Sequence, residues 1–188
     1  MRIKVDIEGL EKFEEFFDTK SWYRAQKRTT TEIGRKLRKD LVKDVRKTYN
    51  IKASTLKKKI RTRVEKKGEG ENFEWNMFVK GRPLSLYHFG ARQTKKGVSV
   101  KVKKSEGRKV VKGAFIAKGQ VFKRVSKKSY PIKALKTLSI PQMFNEEIVT
   151  KNLKNISDEY VKRFEHNLLY YLSNNFPTGK YNNKKPPF

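Results

Sequence analysis

Ile3, Val5 and Ile7 alternate with Arg2, Lys4, Asp6 and Glu8, a period of two that predicts a half-buried strand ended by Gly9. Leu10, Phe13, Phe16 and Phe17 then share one side of a short helix, with Glu11, Glu14 and Glu15 on the other. Asp18, Thr19 and Ser21 each offer a side-chain oxygen to cap a much longer helix running to about Tyr49. Its apolar stripe is Ile33, Leu37, Leu41, Val45 and Tyr49, at steps of four, extended upstream by Trp22, Ala25 and Thr29. The opposite face holds Arg35, Lys36, Arg38, Lys39, Lys43, Arg46 and Lys47, so one stripe packs inward while the other forms a cationic ridge.

Ser54 or Thr55 is positioned to cap another short helix, through Lys59. From Ile60 the period shifts to that of strands. Ile60–Val64 and Phe73–Val79 flank the turn Gly68-Glu69-Gly70, which suits a hairpin. Residues 81–90 read as a loop around Pro83. Val98, Val100 and Val102 alternate with polar neighbours; Val110-Val111 and Ala114–Ala117 suggest a strand pair with a bulge at Gly113; Val121–Val125 is the last strand expected. Pro131 and Pro141 bracket a structured loop. Val149, Leu153, Ile156, Tyr160, Phe164, Leu168 and Tyr171 then mark one helix from about Asn145 to Leu172. The reading is one α+β domain over 1–172, a small and mainly antiparallel sheet packed by a long N-terminal helix and a long C-terminal helix. Residues 173–188, rich in Asn, Lys and Pro, read as a flexible tail.

Charge changes this picture. The 188 residues include 47 Lys+Arg and 19 Asp+Glu, a formal net charge of +28. Nearly all of it lies in two blocks, residues 20–67 (19 basic, 4 acidic) and 80–128 (16 basic, 1 acidic). Self-repulsion of this size works against a compact state unless something anionic relieves it. Nucleic acid is the commonest such partner, through release of phosphate counterions. The absence of cysteine excludes disulfides, thiolate metal sites and a cysteine nucleophile. The apolar runs are too short for a membrane span, and the N-terminus has no secretory apolar core, so no membrane partner is expected.

Candidate chemistry is sparse. His88 and His166 are the only imidazoles, and neither has a second ligand at metal spacing. The carboxylates that a Mg²⁺ nuclease would gather lie mostly outside the basic blocks, with Glu106 alone inside the second. No phosphate-loop or dinucleotide pattern occurs. The expectation is therefore no catalytic residues, no metal and no cofactor. Trp22, Tyr23, Phe115, Phe122 and Tyr130 lie near basic residues, as base stacking would require, although core packing suits Phe115 and Phe122 better. Without a sequence-reading motif, contacts are expected to go to phosphates.

Arg82 to Val102 reads Arg-Pro-Leu-Ser-Leu-Tyr-His-Phe-Gly-Ala-Arg-Gln-Thr-Lys-Lys-Gly-Val-Ser-Val-Lys-Val. With Gly113-Ala114-Phe115-Ile116, Val121-Phe122-Lys123-Arg124, Pro131-Ile132-Lys133 and Ser139-Ile140-Pro141-Gln142-Met143, this segment resembles the minor tail protein Z family of lambda-like phages and prophages. The layout is similar over 1–172 and the motifs over 82–143; Lys136-Thr137-Leu138-Ser139 stands where a Gly-Pro would be looked for. The resemblance implies a virion structural protein, not an enzyme, at the head-proximal end of a long tail, a neck or tail-completion component assembled in the host bacterial cytoplasm. It also implies a homo-oligomeric ring around the DNA channel, with tail terminator, tube or head-connector proteins as partners and non-specific contact with double-stranded DNA.

For such a ring, the DNA-facing candidates are Arg35, Arg38, Lys39, Lys43, Arg46, Lys101 and Lys103. The 82–96 loop offers Arg82, Leu84, Leu86, Tyr87, Phe89 and Arg92 as an assembly contact, apolar and arginine-bearing as interface anchors are. Leu86 and Phe89 could equally tuck beneath the sheet. Composition alone also admits an RNA-binding protein of ribosomal type.

Overall fold

The computed structural model describes residues 2–5, 19–66, 73–154 and 156–175. The expected short helix over 10–17, the Gly68–Gly70 turn and most of the C-terminal tail lie outside them. The class is α+β, with long N- and C-terminal helices and small antiparallel sheets.

In chain order the elements begin with β1 (Arg2–Val5), α1 (Thr19–Thr48), α2 (Ala53–Lys57), β2 (Ile60–Lys66) and β3 (Phe73–Val79). A 3₁₀ turn over Leu86–Phe89 precedes β4 (Arg92–Thr94), β5 (Gly97–Val100), β6 (Lys109–Lys112), β7 (Ala114–Ala117), β8 (Gln120–Arg124) and β9 (Ile132–Ala134). Three helices close the chain: α3 (Ile140–Met143), α4 (Glu146–Leu153) and α5 (Ile156–Asn175). At about 1.5 Å per residue, α1 is about 45 Å long. Its stripe behaves as its spacing requires: Trp22, Ala25, Thr29, Ile33, Leu37, Leu41, Val45 and Tyr49 are all buried.

Instead of one sheet there are three, each of three strands, ordered β1-β3-β2, β4-β5-β6 and β7-β8-β9. The reason lies at Gly113. Its φ of +71° makes it a left-handed turn between β6 and β7 rather than a bulge within a strand pair. The chain therefore leaves one sheet and enters another: β6 pairs with β5 (Val98 opposite Val111) and β7 pairs with β8 (Phe115 opposite Phe122). The Pro-bounded segment is also more ordered than a loop, supplying β9 to the third sheet and α3 with Pro141 in its first turn. The single C-terminal helix is two, α4 and α5, parted near Lys154.

The chain divides into two compact units. The first comprises residues 1–2, 38–61 and 77–152, and the second residues 3–37, 62–76 and 153–188. Each draws on three stretches of sequence, so no single cut of the chain separates them, and the break between α4 and α5 coincides with a boundary.

The first unit holds the second and third sheets. Val98, Ala114 and Val121 form a small apolar centre there, covered by Leu86, Ala91, Val111, Ile116 and Leu135. Leu41, Val45, Leu56, Met77, Phe89, Ile140 and Met143 are other fully buried side chains of this unit. Each contributes roughly 1.5–3 kcal/mol relative to exposure.

The second unit is helical and aromatic. The Trp22 ring meets Phe164 edge-on at 4.8 Å, and Phe164 stacks on Tyr160. Trp75 packs so closely on α1 that a Cβ at Gly34 would fall within its indole, which is why a helix interior tolerates glycine here. Polar side chains join the same packing. The Asn167 amide donates to Thr29 Oγ1 at 2.9 Å, and the Tyr160 and Thr30 hydroxyls lie 3.1 Å apart. Glu32 accepts from Arg163 at 2.6 Å and from Arg28 at 3.0 Å.

Candidate anion-binding surface

Division of the chain also divides its charge. By sequence, the first unit contains 30 Lys+Arg against five Asp+Glu, a net of +25; the second contains 17 against 14, a net of +3. Among the described residues of the first unit, ion pairs engage Lys47 with Asp44 and Lys103 and Lys109 with Glu106. Lys112, Lys118, Lys123, Lys127, Lys128, Lys133 and Lys136 are exposed. Lys112, Lys123 and Lys133 are carried by β6, β8 and β9, Lys118 by the turn between β7 and β8, and Lys127 and Lys128 by the bend between β8 and β9.

The two basic blocks of the sequence meet at the C-terminal end of α1. Asn50 N–H donates to the Val102 carbonyl at 2.8 Å, Lys104 N–H donates to Thr48 O at 2.8 Å, and Tyr49 bridges to Lys103. This backbone ladder brings Arg46, Lys103 and Lys104 into one neighbourhood. Beside it lies a recess of about 410 Å³ lined by Arg46, Asn50, Lys52, Tyr87, His88 and Lys104, among others, with no carboxylate in its lining. Its wall is fixed by hydrogen bonds. Asn50 Nδ2 donates to Phe89 O at 3.2 Å, and the Arg108 guanidinium donates to Gly90 O at 2.6 Å and to Ser99 Oγ and O at 3.0 Å. Gly90 ends the 3₁₀ turn at φ +66°, where a side chain would be strained and would press on Asn50.

The DNA-facing candidates divide accordingly. Lys39, Lys43 and Arg46 are exposed on α1 in the first unit, and Lys103 is exposed near Glu106. Lys101 is half-buried. Arg38 is half-buried too, its guanidinium turned toward the Lys57 and Ile60 carbonyls at 3.4 and 3.5 Å, so it is partly occupied within the unit. Arg35 is exposed but belongs to the second unit. Sequence reasoning passed over Lys52, Lys104 and Arg108; the runs Lys103-Lys104 and Arg108-Lys109 were the available signal, and the site emerges only from pairing across some fifty residues.

The assembly candidates also separate. Arg82, Tyr87 and Arg92 are exposed, and Leu84 is half-buried. Phe89 is fully buried and Leu86 packs over the Val98–Ala114–Val121 centre, so of their two readings, exposed anchor or tucked side chain, the structure shows the tucked one. The cause is a second ladder. Leu84 N–H donates to Leu138 O, Leu86 N–H to Leu135 O and Thr137 N–H to Leu84 O, while buried Ser85 accepts from Val121 N–H. The segment is woven into the unit instead of looping free.

Of the possible stacking rings, Trp22 is core and Tyr23 packs on Phe73. Phe115 and Phe122 stack on each other, with the Arg124 guanidinium 5.3 Å from the Phe115 centroid. Tyr130 is 75% exposed.

Compared with family models, curated proteins and solved structures, the chain matches none. Among the described residues no three His, Asp or Glu side chains gather as metal ligands, and no helix is long and apolar enough to cross a membrane.

Proposed function

We propose that this protein is a structural component of a phage particle, a neck or tail-completion subunit at the head-proximal end of the tail. In this reading it assembles as a ring and touches passing double-stranded DNA without reading its sequence. The observation that carries the DNA contact is the concentration of +25 charges on one unit, with its lysines exposed on strands and on α1. Such a surface attracts phosphate through counterion release and needs no base-edge donors. The place in the tail rests on the motifs between Arg82 and Met143. Repetition of the subunit around a channel would add modest contacts into a strong collective one.

Titrating a labelled duplex of arbitrary sequence against salt tests the contact. Binding should weaken roughly 10³- to 10⁵-fold between about 50 and 200 mM salt if about six to ten phosphates are engaged, and should not distinguish unrelated sequences. Binding that ignores salt would remove the cationic surface as its cause. Negative-stain imaging, with and without tail tubes, tests the assembly: rings or capped tubes are expected. A monomer that prefers structured RNA to duplex DNA would favour the ribosomal-type alternative.

A further inference from the structure

A duplex is convex and rigid, and it can lie along the lysine-bearing strands without entering a recess of about 410 Å³. That recess has the size of a small-ligand site, and its lining is selective in kind. Arg46, Lys52 and Lys104 supply three cations, while Tyr87 and His88 supply two rings, edge-to-face with centroids 6.3 Å apart. Tyr87 is 45% exposed, so its ring is open to a ligand entering the recess. The second unit has a cationic recess as well, lined by Arg24, Lys27, Arg28 and Arg35. That one contains Glu32, which already neutralises Arg28, so its cations have an internal counterion. The recess of the first unit has none in its lining.

We propose that this recess binds one unpaired nucleotide of a single-stranded nucleic acid, its phosphate held by Arg46, Lys52 and Lys104 and its base against Tyr87 and His88. A phosphodiester brings the missing negative charge, and any base offers a face for stacking, so the site is indifferent to sequence. The walls are already in place. The Asn50–Val102, Lys104–Thr48 and Arg108–Gly90 hydrogen bonds hold both sides, so little ordering is required when the ligand enters. The proposal rests on the polyanion reading and extends it from a surface to a site with a distinct ligand.

Fluorescence anisotropy with a labelled ten-nucleotide oligothymidylate and a labelled duplex of equal phosphate number tests it, at one fixed low salt concentration. Tyr87→Ala should weaken the single strand about tenfold and leave the duplex unchanged. Arg46→Gln with Lys104→Gln should weaken the single strand by at least that factor. All three side chains are exposed, and the variants should melt with the parent. If both cleft variants bind oligothymidylate like the parent, while Lys123→Gln with Lys127→Gln weakens both probes, the recess is not the site and the surface reading stands. If the parent binds neither probe, the surface reading falls and the recess proposal with it.

Discussion

The two units solve the same problem, how to carry polar side chains on a folded chain, in opposite ways. In the second unit charges are spent inward on one another. Glu32 collects Arg28, Arg163 and Asn167, and Lys36 meets Glu159 at 2.6 Å, binding α1 to α5. In the first unit apolar side chains form the interior, and charge is left outside with few carboxylates to meet it. Paired charge fixes geometry, and unpaired charge of one sign invites a partner. On the proposed reading, the contrast assigns the polyanion contact to the first unit.

Removing that surplus should have the largest effect. Replacing Lys118, Lys123, Lys127 and Lys128 with Gln should lower duplex affinity by orders of magnitude and reduce the salt slope by up to about 3.6, or 0.9 per lost phosphate contact. The same change at Lys20, Lys27, Lys154 and Lys162 of the second unit should leave both nearly unaltered. Equal losses from the two sets, in filter binding or anisotropy, would erase the distinction drawn above.

Next in size is Gly34→Ala, which places a methyl group where the Trp75 indole sits. Overpacking of this kind costs about 1–3 kcal/mol, to be seen as a lowered denaturation midpoint with a change in tryptophan fluorescence. An unchanged midpoint would mean the aromatic packing yields more easily than its closeness implies.

A smaller effect is expected at Glu32. Burial raises its carboxyl, but the hydrogen bonds from Arg163, Arg28 and Asn167 outweigh burial and hold it below the ordinary 4.5. A depressed folded value means stability that is full above the ordinary value and lost as pH falls through the folded one. Melting followed from pH 7 to acid should show that loss, and Glu32→Gln should make the curve shallower while costing about 1 kcal/mol at neutral pH. Smallest of all, Glu106→Gln should not change stability measurably. Lys109 and Lys103 lower this exposed carboxyl, and water screens the pair. A marked loss there would show that the first unit depends on its few carboxylates after all.

Much of α1 was legible because its information is local. A stripe at steps of four from Trp22 to Tyr49 needs only the period of a helix to become a buried face. The partition into three sheets was not. Whether Val111 faces Val98 or its own neighbours across Gly113 is decided by non-local pairing, and a glycine reads alike as bulge or turn. The C-terminal stripe misled for a related reason. Val149 on α4 and Tyr160 on α5 belong to different units, yet their spacing runs on as if one helix carried both. At the site, exposure of Lys39, Lys43 and Arg46 followed from the helix face. The recess did not, because the ladder between residues 48–50 and 102–104 creates it.

Strand β6 ends its sheet, with Val110 outward and a lysine at each end. An edge of this kind is a template on which another chain can add a strand. Were a second copy to approach antiparallel, Lys109 would stand opposite Lys112 twice over, and like charges would push the newcomer away. The edge is thus guarded against its own kind. Concentrated salt should relax that guard, making strand-to-strand aggregation a high-salt hazard for this chain.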